Sequence, residues 1–303
     1  MHIVSNTDEI KKLPEHYFPQ ESELYFDTYE RPVYFAGKNS TNTNSMYQCD
    51  KFKAIVRMFE GTPKQIGMVG KNYKCLPTKD ICHEAENEFC SVLTHNELKN
   101  VQVKDSISYF GGLCFREYIF PGIRADINSS KSDIAFRTII VNGYDGSSTL
   151  KMYSGAIDFF CTNGMVSGVY SLVAKRHTSG LTVPKLTSGI KQSLVVFYEM
   201  ADTYKKWVGK VIKDEDAKQC FEDIPGISDR RVEQFMHQFR IECLSHGRTV
   251  WALYSAITFY SSHSSGEFTI RETEQDHTVA TLYGREQTVR RWIETDAFKK
   301  LAA

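Results

Sequence analysis

Two pairs of alternating apolar segments, each folded about a glycine-containing turn, constrain this chain most. Residues 101–110 (VQVKDSISYF) alternate with period two, then Gly111-Gly112 intervenes, and Leu113 to Phe120 resumes as an apolar and aromatic run. Two strand-like runs about Gly-Gly predict an antiparallel hairpin. The arrangement repeats downstream, where Ile134 to Val141 and Thr149 to Phe160 flank Asn142-Gly143-Tyr144-Asp145-Gly146. These four segments predict a meander of at least four antiparallel strands. Phe52 to Phe59, with basic residues interleaved, and Ile66 to Gly70 read as further strands, and Thr78 is placed to cap a helix over 79–93.

The second half changes period. Ser188 to Phe221 carries Leu194, Phe197, Tyr204 and Trp207 along one side, which predicts a long amphipathic helical stretch. Ser228 to Leu244, Thr249 to Tyr260 and Gln287 to Leu301 are the next helices expected. The fold class expected is α+β: an antiparallel β-meander packed with helices and a helical C-terminal half. Residues 1–50 read as an acidic and polar N-terminal segment, with 37–50 a loop by composition. Residues 51–303 read as one domain, sheet-rich over 51–183 and helix-rich over 184–303.

Charge refines this organisation. The 37 Lys+Arg and 37 Asp+Glu cancel, which argues against a uniformly basic coat protein for DNA. The zero is a sum of unlike parts: −5 over residues 1–30 and +6 over residues 169–213. A neutral chain built this way has room for a localised basic face, or for a solvated helix surface. Aromatic residues at 13% supply ample core, so disorder is excluded. The first residues lack the basic head and apolar stretch of a secretory signal, and no apolar run reaches the length of a membrane helix. A cytoplasmic protein with reduced thiols and no membrane partner is expected.

No nucleotide-binding or metalloprotease motif occurs, and Gly67-Met-Val-Gly70-Lys71 lacks the ending of a phosphate loop. Cys75, Cys82, His83 and Cys90 form the densest cysteine cluster, with spacings unlike a zinc finger, so buried thiols beside a helix are the simpler reading. Cys161 and His177 invite a nucleophile–base reading, but no orienting third group can be assigned to them. The Asp145-Gly146 and Asn163-Gly164 dipeptides are turn chemistry first. No cofactor is implied.

The order of these motifs resembles a family of phage and plasmid proteins known as domain of unknown function 932. The matching positions are Gly67-x-Val69-Gly70-x-x-Tyr73, then Gly111-Gly112 before Phe115. Next come Asn142, Asp145, Gly146 and Ser147, then Cys161, Asn163, Gly164 and Met165, then His177. A last segment holds Thr249, Trp251, Tyr254, Ala256 and Thr258. The family signature's Ser-His is Gly143-Tyr144 here, and its late Asn is Ser255. An aromatic in place of a histidine suits stacking better than proton transfer. The outline, a β-meander with a basic helical segment, is also similar to phage single-strand annealing proteins, at the level of fold analogy.

The resemblance implies a protein of a phage or mobile element, in genomes where recombination and replication genes are common neighbours. The function expected is binding of single-stranded DNA, with a basic groove tracking phosphates and aromatic rings stacking on bases. Arg116, Arg137, Lys151, Lys175, Arg176 and His177 are the expected contacts to the backbone, and Tyr144 and Tyr153 the stacking rings. A homo-oligomer fits that role. Two alternatives stand beside it: a metal-dependent hydrolase or nuclease using Asp145, Asp158 and His177, and a non-enzymatic protein that binds a host factor.

Overall fold

The computed structural model describes residues 12–38, 44–129, 132–158, 164–183, 185–263, 268–270 and 276–303. The chain begins with an antiparallel sheet of three strands, β1 (Tyr29–Lys38), β2 (Asn44–Phe59) and β3 (Thr62–Gly70), with β2 in the centre. Glu60 and Gly61 join β2 to β3 with φ of 49° and 76°, the left-handed pair a two-residue hairpin turn requires. Of residues 37–50, expected as a loop, 37, 38 and 44–50 are instead the ends of β1 and β2, paired from Gly37↔Ser45 and Lys38↔Asn44 inward, and 39–43 lie outside the described residues. Their polar composition is overridden by cross-strand partners, among them Phe35 stacked on Tyr47 with centroids 5.8 Å apart. Because β2 runs straight through residue 50, strand pairing ties the N-terminal segment to the sheet-rich part of the chain.

Helix α1 (Thr78–Val92) comes next, then the single turn α2 (His95–Leu98). Pro77, and not Thr78, holds the N-cap position of α1. The Thr78 hydroxyl is engaged inside the protein, 3.0 Å from the Tyr144 hydroxyl and accepting from Asn142 Nδ2 at 3.0 Å.

The expected meander has five strands in simple order: β4 (Gln102–Ser108), β5 (Leu113–Ser129), β6 (Ser132–Gly143), β7 (Leu150–Asp158) and β8 (Gly164–Lys175). Both faces of this sheet are covered. One packs on α3 (Thr187–Gly209) and α6 (Val250–Ser262), through Phe136, Ile140 and Met152 against Phe197, Tyr254 and Ile257 in one continuous core. The other carries Leu113, Phe115, Ile139, Val141 and Tyr153 under α7 (Thr278–Ile293), which contributes Val279, Ala280 and Tyr283. Each large apolar side chain removed from water here stabilises the fold by about 1.5–3 kcal/mol.

The single helical stretch expected over 188–221 is two helices. α3 stops at Gly209, Val211 forms an isolated bridge with Thr249, and α4 (Asp214–Asp223) starts afresh with three acids in its first turn. α5 (Asp229–His246) and α6 match expectation, whereas the terminal helix expected over 287–301 is α7 together with a separate α8 (Asp296–Ala302). Among the described residues, no helix is long and apolar enough to cross a membrane. The protein is α+β, with the helices mostly in its C-terminal half.

The two sheets meet through a small core of Leu24, Ile55, Ile66, Val69, Cys114 and Tyr144. Here β3 passes over the β6–β7 turn so closely that a Cβ on Gly67 would stand 2.2 Å from the Tyr144 carbonyl oxygen. A Cβ on Gly112 would stand 2.8 Å from the Ile66 carbonyl oxygen. These glycines let two backbones touch.

Candidate nucleic-acid interface

The junction between the sheets is where the motif residues converge. Tyr144 is fully buried; its hydroxyl accepts from the Thr78 backbone N–H at 2.8 Å, so it pins the β6–β7 turn to the start of α1. Asn142 Nδ2 donates to the Leu76 carbonyl at 3.0 Å, beside its bond to Thr78. Burial and these bonds make Tyr144 a locking residue and take it out of reach of a base. Asp145 accepts from the Ser147 backbone N–H at 2.9 Å, the closing bond of an Asx turn.

His177, directly after Lys175 and Arg176, packs into the same junction. Its ring stacks on Tyr73 with centroids 4.7 Å apart and planes at 14°, and its Nδ1 lies 3.0 Å from the Lys74 carbonyl oxygen. Burial holds its pKa below the ordinary 6.5, against the opposing pull of that carbonyl and of Asp145. Tyr73 in turn donates to the Gly143 carbonyl at 2.9 Å. His177 is thus a buried, neutral ring holding two loops together.

Arg116 and Arg137, expected on a phosphate backbone, lie inside the molecule. Arg116 is fully buried, with Nε and Nη2 each donating to Asp105 at 2.7 Å, and Nη1 donating to Glu86 at 2.9 Å and to the Tyr25 hydroxyl. Burial opposes its charge, but the bidentate Asp105 carboxylate wins and raises its pKa above the ordinary value. Arg137 donates to Glu117 at 2.9 Å and to Glu286 at 2.6 Å, and the Tyr153 hydroxyl donates to the same Glu286 at 3.3 Å. Arg137 and Tyr153 therefore line a cavity of about 290 Å³ under α7 and do not face the surface. Lys151 shares their side of β7 and lies 5.3 Å from the Tyr283 ring.

The hydrolase residues do not assemble. Asp145 and His177 share the junction, but Asp158 is at the other end of β7, roughly 26 Å along the strand, where its charge adds to the burial that raises the pKa of Glu242 of α5. Among the described residues, no cluster of three His, Cys, Asp or Glu side chains could hold a metal ion. Burial raises the thiols of Cys75 and Cys90 to about 11 and of Cys82 to about 12, so all three stay protonated. Cys161 and Asn163 lie outside the described residues.

Lys175 and Arg176 are exposed, and the structure adds cations to them that the sequence does not reveal. The Lys74 N–H donates to the His177 carbonyl at 3.2 Å, and the Lys71 N–H donates to the Lys51 carbonyl at 2.9 Å. These backbone bonds bring Lys51, Lys71, Lys74, Lys175 and Arg176 to one rim along the junction, drawn from separate segments of the chain. None of the five forms an ion pair with another described residue. For the three added lysines the one sequence signal is the Lys-Phe-Lys run at 51–53, which alternation alone does not aim at any partner.

No curated protein and no solved structure matches this chain. The family model described as Domain of unknown function (DUF932) matches residues 65–283, a span that begins in β3, ends in α7 and contains the whole β6–β7 turn. The chain belongs to the DUF932 family.

Proposed function

We propose that this protein binds nucleic acid, with single strands as the preferred form, and serves DNA recombination or replication in a phage or mobile element within the host cytoplasm. The observation that carries the reading is the rim of five cations, Lys51, Lys71, Lys74, Lys175 and Arg176, with no ion-pair partner among the described residues. In a chain of zero net charge, cations left without an ion pair on one edge concentrate positive potential there. Arg116 and Arg137 sharpen the contrast, because each of these two buried cations is met by two carboxylates. A phosphate backbone laid along the rim releases counterions, and that release makes affinity fall with salt.

The test is fluorescence anisotropy of a labelled single-stranded oligonucleotide across a salt series, repeated with its duplex. Wild-type protein is expected to bind the single strand more tightly, with affinity dropping steeply as salt rises. Lys175→Ala combined with Arg176→Ala should weaken binding and reduce the slope of log affinity against log salt by about one for each phosphate no longer neutralised. Absence of binding at low salt, or affinity indifferent to salt, overturns the reading. An annealing assay with complementary oligonucleotides then tests the recombination role.

A further inference from the structure

The three-stranded sheet has a bare face. Ile55 of β2, fully buried, and Val69 of β3 point into the small core between the sheets. By alternation, Phe52, Ala54, Val56 and Met58 of β2 point the other way. Across the ladder, Tyr29 pairs with Val56 and Arg31 with Ala54 on one side, and Met68 pairs with Ala54 on the other. Tyr29, Phe52, Met58 and Met68 are 42%, 48%, 50% and 56% exposed, far more than the middle of a sheet face normally leaves to water. Past the end of β3 the β1–β2 ribbon continues alone and exposes Tyr34, Phe35, Met46 and Tyr47. Of the fourteen exposed large apolar side chains among the described residues, eight lie on this sheet, so the exposure is concentrated and not scattered.

Charge identifies the occupant. Residues 29–74 contain eight bases (Arg31, Lys38, Lys51, Lys53, Arg57, Lys64, Lys71, Lys74) and three acids (Glu30, Asp50, Glu60), a balance of +5 in a chain whose total is zero; Arg57 is buried on the inner side and Lys53 is paired with Glu30, so the field at the outer face comes from Arg31 and from the bases around the edges of the sheet. Arg31 holds its guanidinium 5.7 Å from the Tyr29 ring centre on this face, and Lys51, next to Phe52 but turned to the opposite face by alternation, joins Lys71 on the rim through its backbone. Flat aromatic rings in a basic field fit a polyanion that presents flat apolar faces. An unpaired nucleic-acid strand does so, whereas a duplex hides its base faces in its own stack.

We propose that the outer face of the three-stranded sheet is a base-stacking platform for single-stranded nucleic acid, with Phe52 and Tyr29 as the stacking rings and Arg31 as the phosphate contact beside them. The inference rests on the nucleic-acid reading and deepens it: the rim follows the backbone, and the sheet face takes the bases. Stacking engages every base, so the platform is indifferent to sequence.

The experiment is anisotropy with a labelled oligothymidylate and a labelled duplex hairpin, on wild-type protein and on Phe52→Ala, Tyr29→Ala, Phe52→Trp and the Lys175→Ala/Arg176→Ala pair. Phe52→Ala and Tyr29→Ala are each expected to weaken single-strand binding by roughly 5- to 100-fold. Their salt slope should be unchanged, because removing a ring frees no counterion. Phe52→Trp should retain wild-type affinity, and the lysine–arginine pair should instead flatten the slope. If wild-type protein binds neither probe, the general reading falls. If it binds and the pair weakens it, while Phe52→Ala and Tyr29→Ala stay within twofold, the platform alone is overturned. Size-exclusion chromatography provides a second check: a dimer dissolved by Phe52→Glu, with single-strand affinity unchanged, would make this face a contact between copies and overturn the platform.

Discussion

The two sheets treat their arginines and aromatics in opposite ways. In the five-stranded sheet, covered on both faces, Arg116 and Arg137 are buried against four carboxylates, and Tyr144 and Tyr153 donate or accept inside the fold. In the three-stranded sheet one face is bare, Tyr29 and Phe52 are half exposed, and Arg31 lies over a ring with no carboxylate partner among the described residues. The same residue types thus serve structure in one sheet and remain available in the other. What separates them is whether an element from elsewhere brings an acid or covers the face.

The largest expected effect breaks the buried side of this comparison. Arg116→Ala leaves Asp105 and Glu86 without their shared cation in the interior, which should cost about 3–5 kcal/mol of stability. Urea unfolding should show that loss, while the Lys175→Ala/Arg176→Ala pair stays within about 0.5 kcal/mol of wild type. Equal losses in the two proteins would erase the distinction between buried and rim cations. The next effect concerns how the sheets are joined. Gly67→Ala forces a methyl group onto the Tyr144 carbonyl, whereas a Cβ on Gly70 meets nothing within 4 Å. The first should destabilise by about 1–3 kcal/mol. The second should be neutral or stabilising by up to about 1 kcal/mol. Both glycines belong to the same short motif, so matched thermal unfolding curves for the two variants would show that the close crossing does not hold the sheets.

Much of the covered sheet was legible in the sequence. Residues 101–108 alternate and the apolar runs over 113–120, 134–141 and 150–158 flank two turns, so local pattern and turn chemistry decide their structure. The β1–β2 ribbon was not legible, since residues 37–50 are polar by composition, while 37, 38 and 44–50 are held as strands by cross-strand partners and 39–43 lie outside the described residues. The break between α3 and α4 was equally hidden. It lies in Lys210–Lys213, where pairing of Val211 with Thr249 interrupts an otherwise helical pattern. At the site, Lys175 and Arg176 stand out from charge alone, but the fate of Arg116 and Arg137 does not. Each has one acid on a neighbouring strand, Asp105 for Arg116 and Glu117 for Arg137, but the second acids, Glu86 and Glu286, come from 30 residues before Arg116 and 149 residues after Arg137, a separation that no local pattern spans. Phe52 and Tyr29 escape notice for the converse reason: alternation places a ring on a face but does not tell whether anything covers that face.

The smallest expected effect tests how firmly the junction between the sheets is sealed. His177 is buried against Tyr73, with Nδ1 facing the Lys74 carbonyl and a buried Nε2 that has no hydrogen-bond partner. Its pKa is depressed by that burial. As pH falls through about 6.5 the unfolded chain takes up the proton first, so the folded state binds fewer protons. The stability contributed by neutral His177 is therefore complete above that pH and is lost as pH drops toward the depressed folded value. His83 and His263 are lowered by burial too and act in the same direction, so the difference between two proteins is the useful quantity. Phe at position 177 keeps the stack on Tyr73 and removes the proton site. Urea midpoints measured at about pH 7.5 and about pH 5.5 should fall further for wild type than for His177→Phe, by less than about 1.4 kcal/mol for each unit of depression. Identical shifts in the two proteins would mean that water already reaches the imidazole and that the seam between the sheets is open. The rim cations beside it would then sit on a mobile joint, and Lys175→Ala/Arg176→Ala would lower affinity without the full change in salt slope.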